Sequence, residues 1–284
     1  MRSVVITGTS TGIGWGTAKV LIGNGFRVFG SVRKIADAER LETELGPRFV
    51  PLIFDVTDET AVNAAARHVR VALGGETLAG LVNNAGVAVP GPLLELPIDE
   101  FRRQIDINLV GVVITTKAFA PLLGTDRQLD GHPGRIVNIS SVGGRIALPF
   151  LAPYNASKFA LEGLSESLRR ELMPFGIDVV VVGPGAVATA IWQKSAETDI
   201  TPYRDTPYAR PLERLRDMAL AEGKRGLPPE RVGEVVLHAL TTAKPKVRYA
   251  VSPQPLQDWM LRNLPKRLVD RIIGKRLGLL PAPQ

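Results

Sequence analysis

The chain has no cysteine, so disulfides, thiolate nucleophiles and thiolate metal ligands are excluded outright. Histidine is nearly as scarce. His68, His132 and His238 are scattered and form no metal-ligand spacing, and no metal site is expected. Hydrolysis by an activated serine is excluded too, because the sequence has no Gly-x-Ser-x-Gly elbow and no histidine with a partner pattern. No uninterrupted apolar run reaches the ~18 residues of a membrane-spanning helix. The apolar start at residues 3–6 passes directly into Thr-Gly-Thr-Ser, a strand and turn rather than a secretory signal. These absences give a cytoplasmic protein as the expectation.

What is present suits one large domain. The 284 residues are 45% hydrophobic, enough for a sizeable core. The net charge is +7, and its placement says more than its size. Residues 256–284 hold six basic side chains (Arg262, Lys266, Arg267, Arg271, Lys275, Arg276) against Asp258 and Asp270. That leaves +4, more than half of the excess, in the last tenth of the chain. Basic stripes with interleaved aromatics are lacking, so nucleic acid is not an expected partner.

Apolar, β-rich runs alternate with helical patterns. Strands are predicted at 3–7, 27–32, 49–53, 79–83, 135–140, 177–183 and 247–251. Most are continuously apolar, as in parallel strands covered on both faces. Helices are predicted near 13–24, 35–45, 58–73, 99–122, 155–174 and 229–241. The alternation predicts an α/β fold with a doubly wound parallel sheet, Rossmann-like, in a single domain over residues 1–255. An insert at about 186–228, rich in proline, is expected to form a substrate lid. Residues 256–284 form an amphipathic basic extension, in which Leu261, Leu264, Leu268, Ile272 and Leu277 recur at helical spacing and Pro265 starts a second helix. Such a segment closes over the pocket or rests on a lipid surface as a peripheral membrane contact.

The first strand runs into Thr7-Gly8-Thr9-Ser10-Thr11-Gly12-Ile13-Gly14 ahead of a helix. Glycines there let the backbone approach a pyrophosphate, whose charge is stabilised by the helix N-terminus. Further patterns follow in order: Asp55-Val56, Asn83-Asn84-Ala85-Gly86, Asn108, Ser140-Ser141, Tyr154-x-x-x-Lys158, and Pro184-Gly185-Ala186-Val187-Ala188-Thr189. Together these resemble the short-chain dehydrogenase/reductase family in its compact form, over roughly residues 3–251. Seven motifs in the right order carry the resemblance, although no single one would.

In dinucleotide folds an acidic residue near the end of strand 2 grips the adenosine ribose and favours NAD. By the family's spacing that position is Val32, so no carboxylate is present to repel a 2′-phosphate. Ser31 and Arg33 can donate to one, Arg33 through its planar fork. NADP(H) is therefore the preferred cofactor and NAD(H) the alternative. The resemblance further implies that Asp55 accepts from the adenine amino group with Val56 beside the ring. Asn84, with Ala85 and Gly86, would lie by the adenosine ribose, and Thr189 with the Val187 backbone would hold the carboxamide after the Pro184-Gly185 turn. Gly8, Thr9, Ser10, Gly12, Ile13 and Gly14 form the phosphate loop. Asn83 reads as a sheet brace, and Asp58 rather than Asp55 as the helix cap.

Tyr154 and Lys158 are four apart at a helix start and share a face. A nearby ammonium favours the phenolate, which makes Tyr154 a usable proton exchanger for an alcohol or carbonyl. Ser141, 13 residues earlier, would hold the substrate oxygen where charge develops. Ser140 is assigned to local turn bonding. The resemblance adds Asn108 through a water-linked relay to Lys158. It also adds Tyr154 and Lys158 to the cofactor contacts.

The sequence around Ser141 and Tyr154 looks especially like hydroxysteroid and retinol dehydrogenases. Leu148, Pro149, Phe150 and Leu151, with Ile191, Trp192 and Tyr203 from the insert, would line a pocket for a bulky lipophilic alcohol or carbonyl substrate. A homodimer or homotetramer through the helices at 99–122 and 155–174 is the family's habit. The competing reading is a non-catalytic NADP(H)-binding regulatory protein, which would not need both Tyr154 and Lys158.

Overall fold

The computed structural model describes residues 1–189 and 199–281, the side chain of Lys224 apart. Seven strands form one parallel sheet in the order β3-β2-β1-β4-β5-β6-β7. They are β1 (Ser3–Ile6), β2 (Arg27–Val32), β3 (Phe49–Ile53), β4 (Gly80–Asn83), β5 (Arg135–Ile139), β6 (Asp178–Pro184) and β7 (Arg248–Val251). Each lies within two residues of its predicted bounds. The continuous burial of Val4, Val5 and Ile6 and of Val179 to Val182 explains why these runs do not alternate.

Chain order reverses between β1 and β4. The crevice beyond the carboxyl ends of those strands is the place where open α/β sheets bind ligands. On one face lie α1 (Gly12–Gly23), α2 (Ile35–Leu45) and α8 (Pro229–Thr241). The first and last of these approach closely, since a Cβ on Gly16 would meet the Pro229 backbone at 2.7 Å and one on Gly233 would meet the Gly16 carbonyl at 2.9 Å. The other face carries α3 (Glu59–Leu73), α4 (Ile98–Ile105), α5 (Gly111–Phe119) and α6 (Ala152–Glu171). Asp58 caps α3 by accepting from the Ala61 N–H at 2.9 Å.

The helix expected at 99–122 is not one continuous α-helix. A π-helical turn at Asp106–Val110 separates α4 from α5, and a 3₁₀ turn follows at Ala120–Leu123. By length and composition this stretch is apolar enough to cross a membrane. Its burial has a different cause, because Phe119, Leu122 and Leu123 pack with α3 and the sheet.

The insert contains α7 (Ala209–Arg225), and the C-terminus folds into α9 (Pro255–Asn263) and α10 (Lys266–Leu277), with Pro265 at the N-cap of α10. Leu212 and Leu215 of α7, Leu277 of α10, Tyr203 and Phe150 form a third apolar cluster, apart from the two that flank the sheet. The C-terminal extension therefore packs on the insert through one face.

Candidate active site

The glycine loop is built as an anion cradle. Gly8 and Gly12 have φ of +71° and +63°, which L side chains rarely adopt. A Cβ on Gly14 would collide with the Gly8 carbonyl and stand 2.5 Å from the Asn84 amide nitrogen. The α1 N-terminus has no acidic residue in its first turn and no side-chain cap from Thr11, which suits a phosphate. Thr189 packs against this loop, 3.2 Å from where a Gly12 Cβ would be, and Val187 is buried beside it on a bridge to Leu227. The loop's chemistry thus fits a dinucleotide.

Three loop-bracing roles were not read from the sequence. Ser31 is 2% exposed, and its hydroxyl accepts from the Gly8 N–H at 2.9 Å while its carbonyl accepts from the Thr9 N–H and hydroxyl. It thus braces the loop, a role additional to the expected one, because a hydroxyl that accepts keeps its own hydrogen to donate. Asn84 likewise donates its amide to the carbonyls of Thr7 and Gly8, each at 2.9 Å, and so shapes the loop first. Arg40, whose role gave no sequence signal, donates to the Ser10 carbonyl at 2.6 Å.

Arg33 follows the end of β2 with its side chain 68% exposed, 3.8 Å from Asp55. Asp55 accepts from the Thr57 N–H and hydroxyl through its other oxygen. Val32 is buried, and Val56 packs where a Cβ on Gly111 would come within 2.7 Å of it. Asn83 is the expected sheet brace, donating to Asn138 and Thr116 and accepting from Thr115.

Ser141, Tyr154, Lys158 and Asn108 converge from three elements. Ser141 caps the short turn at Val142–Gly144 by accepting from the Gly143 N–H at 3.0 Å. A Cβ on Gly143 would lie 3.2 Å from the Tyr154 ring and 3.3 Å from the Ser141 hydroxyl, so glycine there leaves room for both. Ser141, not Ser140, thus makes the turn bond. The Ser140 hydroxyl is buried without a hydrogen-bond partner among the described residues, which corrects its assignment.

Lys158 is 5% exposed, with Nζ donating to the Ile139 carbonyl at 2.9 Å and lying 5.9 Å from the Tyr154 ring centre. Burial pushes its ammonium down to about 8, while the Glu162 charge pulls the other way. Burial also pushes the Tyr154 phenol up, against a hydrogen bond with Ser141. The protein alone therefore does not lower the phenol as the lysine's proximity suggested.

Asn108 sits in the π turn, accepting from the Val87 N–H and donating to the Val87 carbonyl and the Ser157 hydroxyl. Both amide hydrogens are committed, so its side chain positions and does not relay by donation. A Cβ on Gly86 would be 3.2 Å from Asn108 Oδ1 and 3.7 Å from Lys158 Nζ, which shows how closely the three meet. Ser157, missed from sequence, joins the π turn to α6 by accepting from the Asn108 amide, and its hydroxyl donates in turn to the Tyr154 carbonyl.

Phe150, four residues before Tyr154, belongs to the apolar cluster of the insert. It is buried, holds φ +65°, and stacks edge-on to Tyr208 at 5.7 Å. That φ is strained for a bulky residue, and such strain concentrates at ligand-binding positions. Ile191 and Trp192 lie outside the described residues.

The sequence profile of the short chain dehydrogenases matches residues 2–200. An NADPH-dependent 3-dehydrocapnine reductase of Ornithobacterium rhinotracheale is 40% identical over 282 residues, covering 99% of each chain. Retinol dehydrogenase 5 of Mus musculus is 34% identical over 99% of this chain and 89% of its own. Among solved structures, a short-chain dehydrogenase from Streptomyces avermitilis superposes with a TM-score of 0.74 at 25% identity, over 96% of this chain and 94% of its own.

Proposed function

This chain belongs to the short-chain dehydrogenase/reductase family and is an oxidoreductase, and we propose that it is an NADP(H)-dependent enzyme reducing a carbonyl on a lipophilic substrate. The observation that carries this reading is the meeting of Ser141, Tyr154 and Lys158 beside a glycine loop, with Val32 in place of an acid at the end of β2 and Arg33 exposed next to it.

When bound, the nicotinamide supplies or accepts the hydride. The chain's own groups manage the oxygen and the proton. The Ser141 hydroxyl orients the substrate oxygen. Tyr154, kept protonated by burial, gives its phenolic proton to that oxygen as charge develops there. The Lys158 ammonium stabilises the phenolate left behind. A phenol held in its acid form suits reduction, and the full-length likeness to an NADPH-dependent reductase points the same way.

Phe150, Tyr203 and Leu212 favour a bulky apolar substrate. A steroid or retinoid is one candidate, in keeping with the likeness to a retinol dehydrogenase. Exposed Val110 and Val113 on the π turn and α5, with Phe159 on α6, support assembly as a homodimer or homotetramer. Leu268 and Ile272 are exposed on α10 among Arg271, Lys275 and Arg276, which suits a cytoplasmic enzyme touching a lipid surface peripherally.

The test is turnover of a panel of lipophilic ketones and aldehydes with NADPH, followed through loss of the reduced nicotinamide absorbance. Cofactor binding without turnover of any member would favour the regulatory reading.

A further inference from the structure

Glu162 lies one helical turn beyond Lys158 on α6, its side chain only 10% exposed. Two arginines meet it. Arg248, which opens β7, donates Nε to both carboxylate oxygens at 3.1 Å, and its own side chain is 17% exposed. Arg145, which ends the Ser141 turn, donates to Oε2 at 3.3 Å. The second arm of Arg248 reaches the Ser141 carbonyl at 3.3 Å.

Two glycines leave room for this arrangement. A Cβ on Gly183 would stand 2.8 Å from the centre of the Arg248 guanidinium. A Cβ on Gly144 would stand 3.2 Å from Glu162 Cγ and 3.1 Å from the Lys158 carbonyl. Exposed ion pairs contribute little and tolerate loss, whereas the Glu162–Arg248 pair is largely withdrawn from water, with Arg145 at 48% exposure covering it from the solvent side of the Ser141 turn.

We propose that Glu162, clamped by Arg248 and Arg145, is a positioning residue that locks the Ser141 turn onto the helix carrying Tyr154 and Lys158. The inference rests on the reading that those three residues perform the chemistry. Glu162 has a second effect through charge. It is the group whose field raises the Lys158 ammonium against burial. The other neighbours of Lys158 are Tyr154 on its own helix, the neutral Asn108 of the π turn and the Ile139 carbonyl of β5, while Arg145 and Arg248 approach Glu162 from the Ser141 turn and β7. Without the carboxylate, Lys158 would lose its proton at lower pH and face two uncompensated arginines.

The experiment compares Glu162→Gln and Arg248→Lys with wild type and Tyr154→Phe in the full-length protein. It reads Tm, NADPH Kd, kcat, and the pH profile of ketone reduction. Glu162→Gln should lower kcat about tenfold, as misplacement of reacting groups does, and move the alkaline limb to lower pH. Arg248→Lys keeps a cation for Glu162 but loses the arm to Ser141. Its kcat should fall about tenfold while the alkaline limb stays in place. NADPH Kd should stay within about twofold in both, since neither side chain belongs to the glycine loop.

If both variants lose only Tm, with kcat per folded molecule and the pH limb unchanged, the pair is merely structural and the proposal is overturned. If Glu162→Gln does not fold, Arg248→Lys decides alone, and full kcat overturns it. Wild-type turnover in Tyr154→Phe would instead overturn the functional reading itself. An inactive Tyr154→Phe beside fully active Glu162→Gln and Arg248→Lys would overturn the positioning role alone.

Discussion

The Lys158 ammonium donates to the Ile139 carbonyl at 2.9 Å, which anchors a buried cation to the end of β5 below the tyrosine ring. Burial holds this lysine at about 8 instead of its ordinary 10.5. Between those values the unfolded chain binds more protons than the folded one, so this group adds stability as pH rises from 8 to 10.5 and subtracts it below 8. Lys158→Met should therefore be at least as stable as wild type at pH 7. The gain is at most about 3 kcal/mol, reduced by the ~1–3 kcal/mol cost of leaving the Ile139 carbonyl unpartnered. Denaturant melts at pH 7 and pH 10 check it. The variant's advantage should shrink at the higher pH, and a constant or growing difference would contradict the burial argument.

The same two groups set an expected pH profile. Reduction needs Tyr154 protonated and Lys158 charged. The phenol is pushed upward, so the alkaline limb belongs to the lysine and should fall as pH rises through about 8. Single-turnover reduction rates across pH 6 to about 10 measure this. A rate that stays flat beyond pH 9 would show that the lysine charge is not required.

Arg33 and Ser31 should separate cleanly in cofactor titrations. Arg33 is exposed just past the end of β2, so Arg33→Ala should erase most of a tenfold or greater preference for NADPH, about 1.4 kcal/mol, and leave NADH binding nearly unchanged. Ser31 instead accepts the Gly8 N–H inside the loop. Ser31→Ala leaves that donor unpaired and should weaken NADPH and NADH alike, by about fivefold or more. Loss of NADPH binding alone in Ser31→Ala would return it to a phosphate-contacting role.

The contrast between those two residues shows what the sequence could and could not disclose. Strands were legible because burial on both faces writes a continuous apolar run, as at Val179 to Val182. The Ser141, Tyr154 and Lys158 set was legible because their fixed spacing brings them together around glycines 86 and 143. Ser31 and Arg33 are two apart and both able to donate, yet burial separates their roles, and burial depends on Gly8 packing from another segment. The π turn at Asp106–Val110 carries no residue type that announces it. The Glu162–Arg248 contact spans 86 residues and leaves no local pattern at all.

The two faces of α10 should respond differently to substitution. Leu277 is buried against the insert, so Leu277→Ala should cost about 2–5 kcal/mol locally and raise KM for large apolar substrates more than for small ones. Leu268→Ser with Ile272→Ser removes exposed side chains and should change stability by no more than about 0.5 kcal/mol each. The double variant should lose binding to anionic phosphatidylserine vesicles at low salt. Unchanged vesicle sedimentation would leave this face without a lipid role.

The most direct test of the central claim is kcat of Tyr154→Phe on a ketone that the wild type demonstrably reduces. The substitution keeps the ring against Gly143 and removes the exchangeable proton. Turnover should fall by about 10²–10⁴, with NADPH Kd within about twofold of wild type. Wild-type turnover in that variant would mean that another group moves the proton.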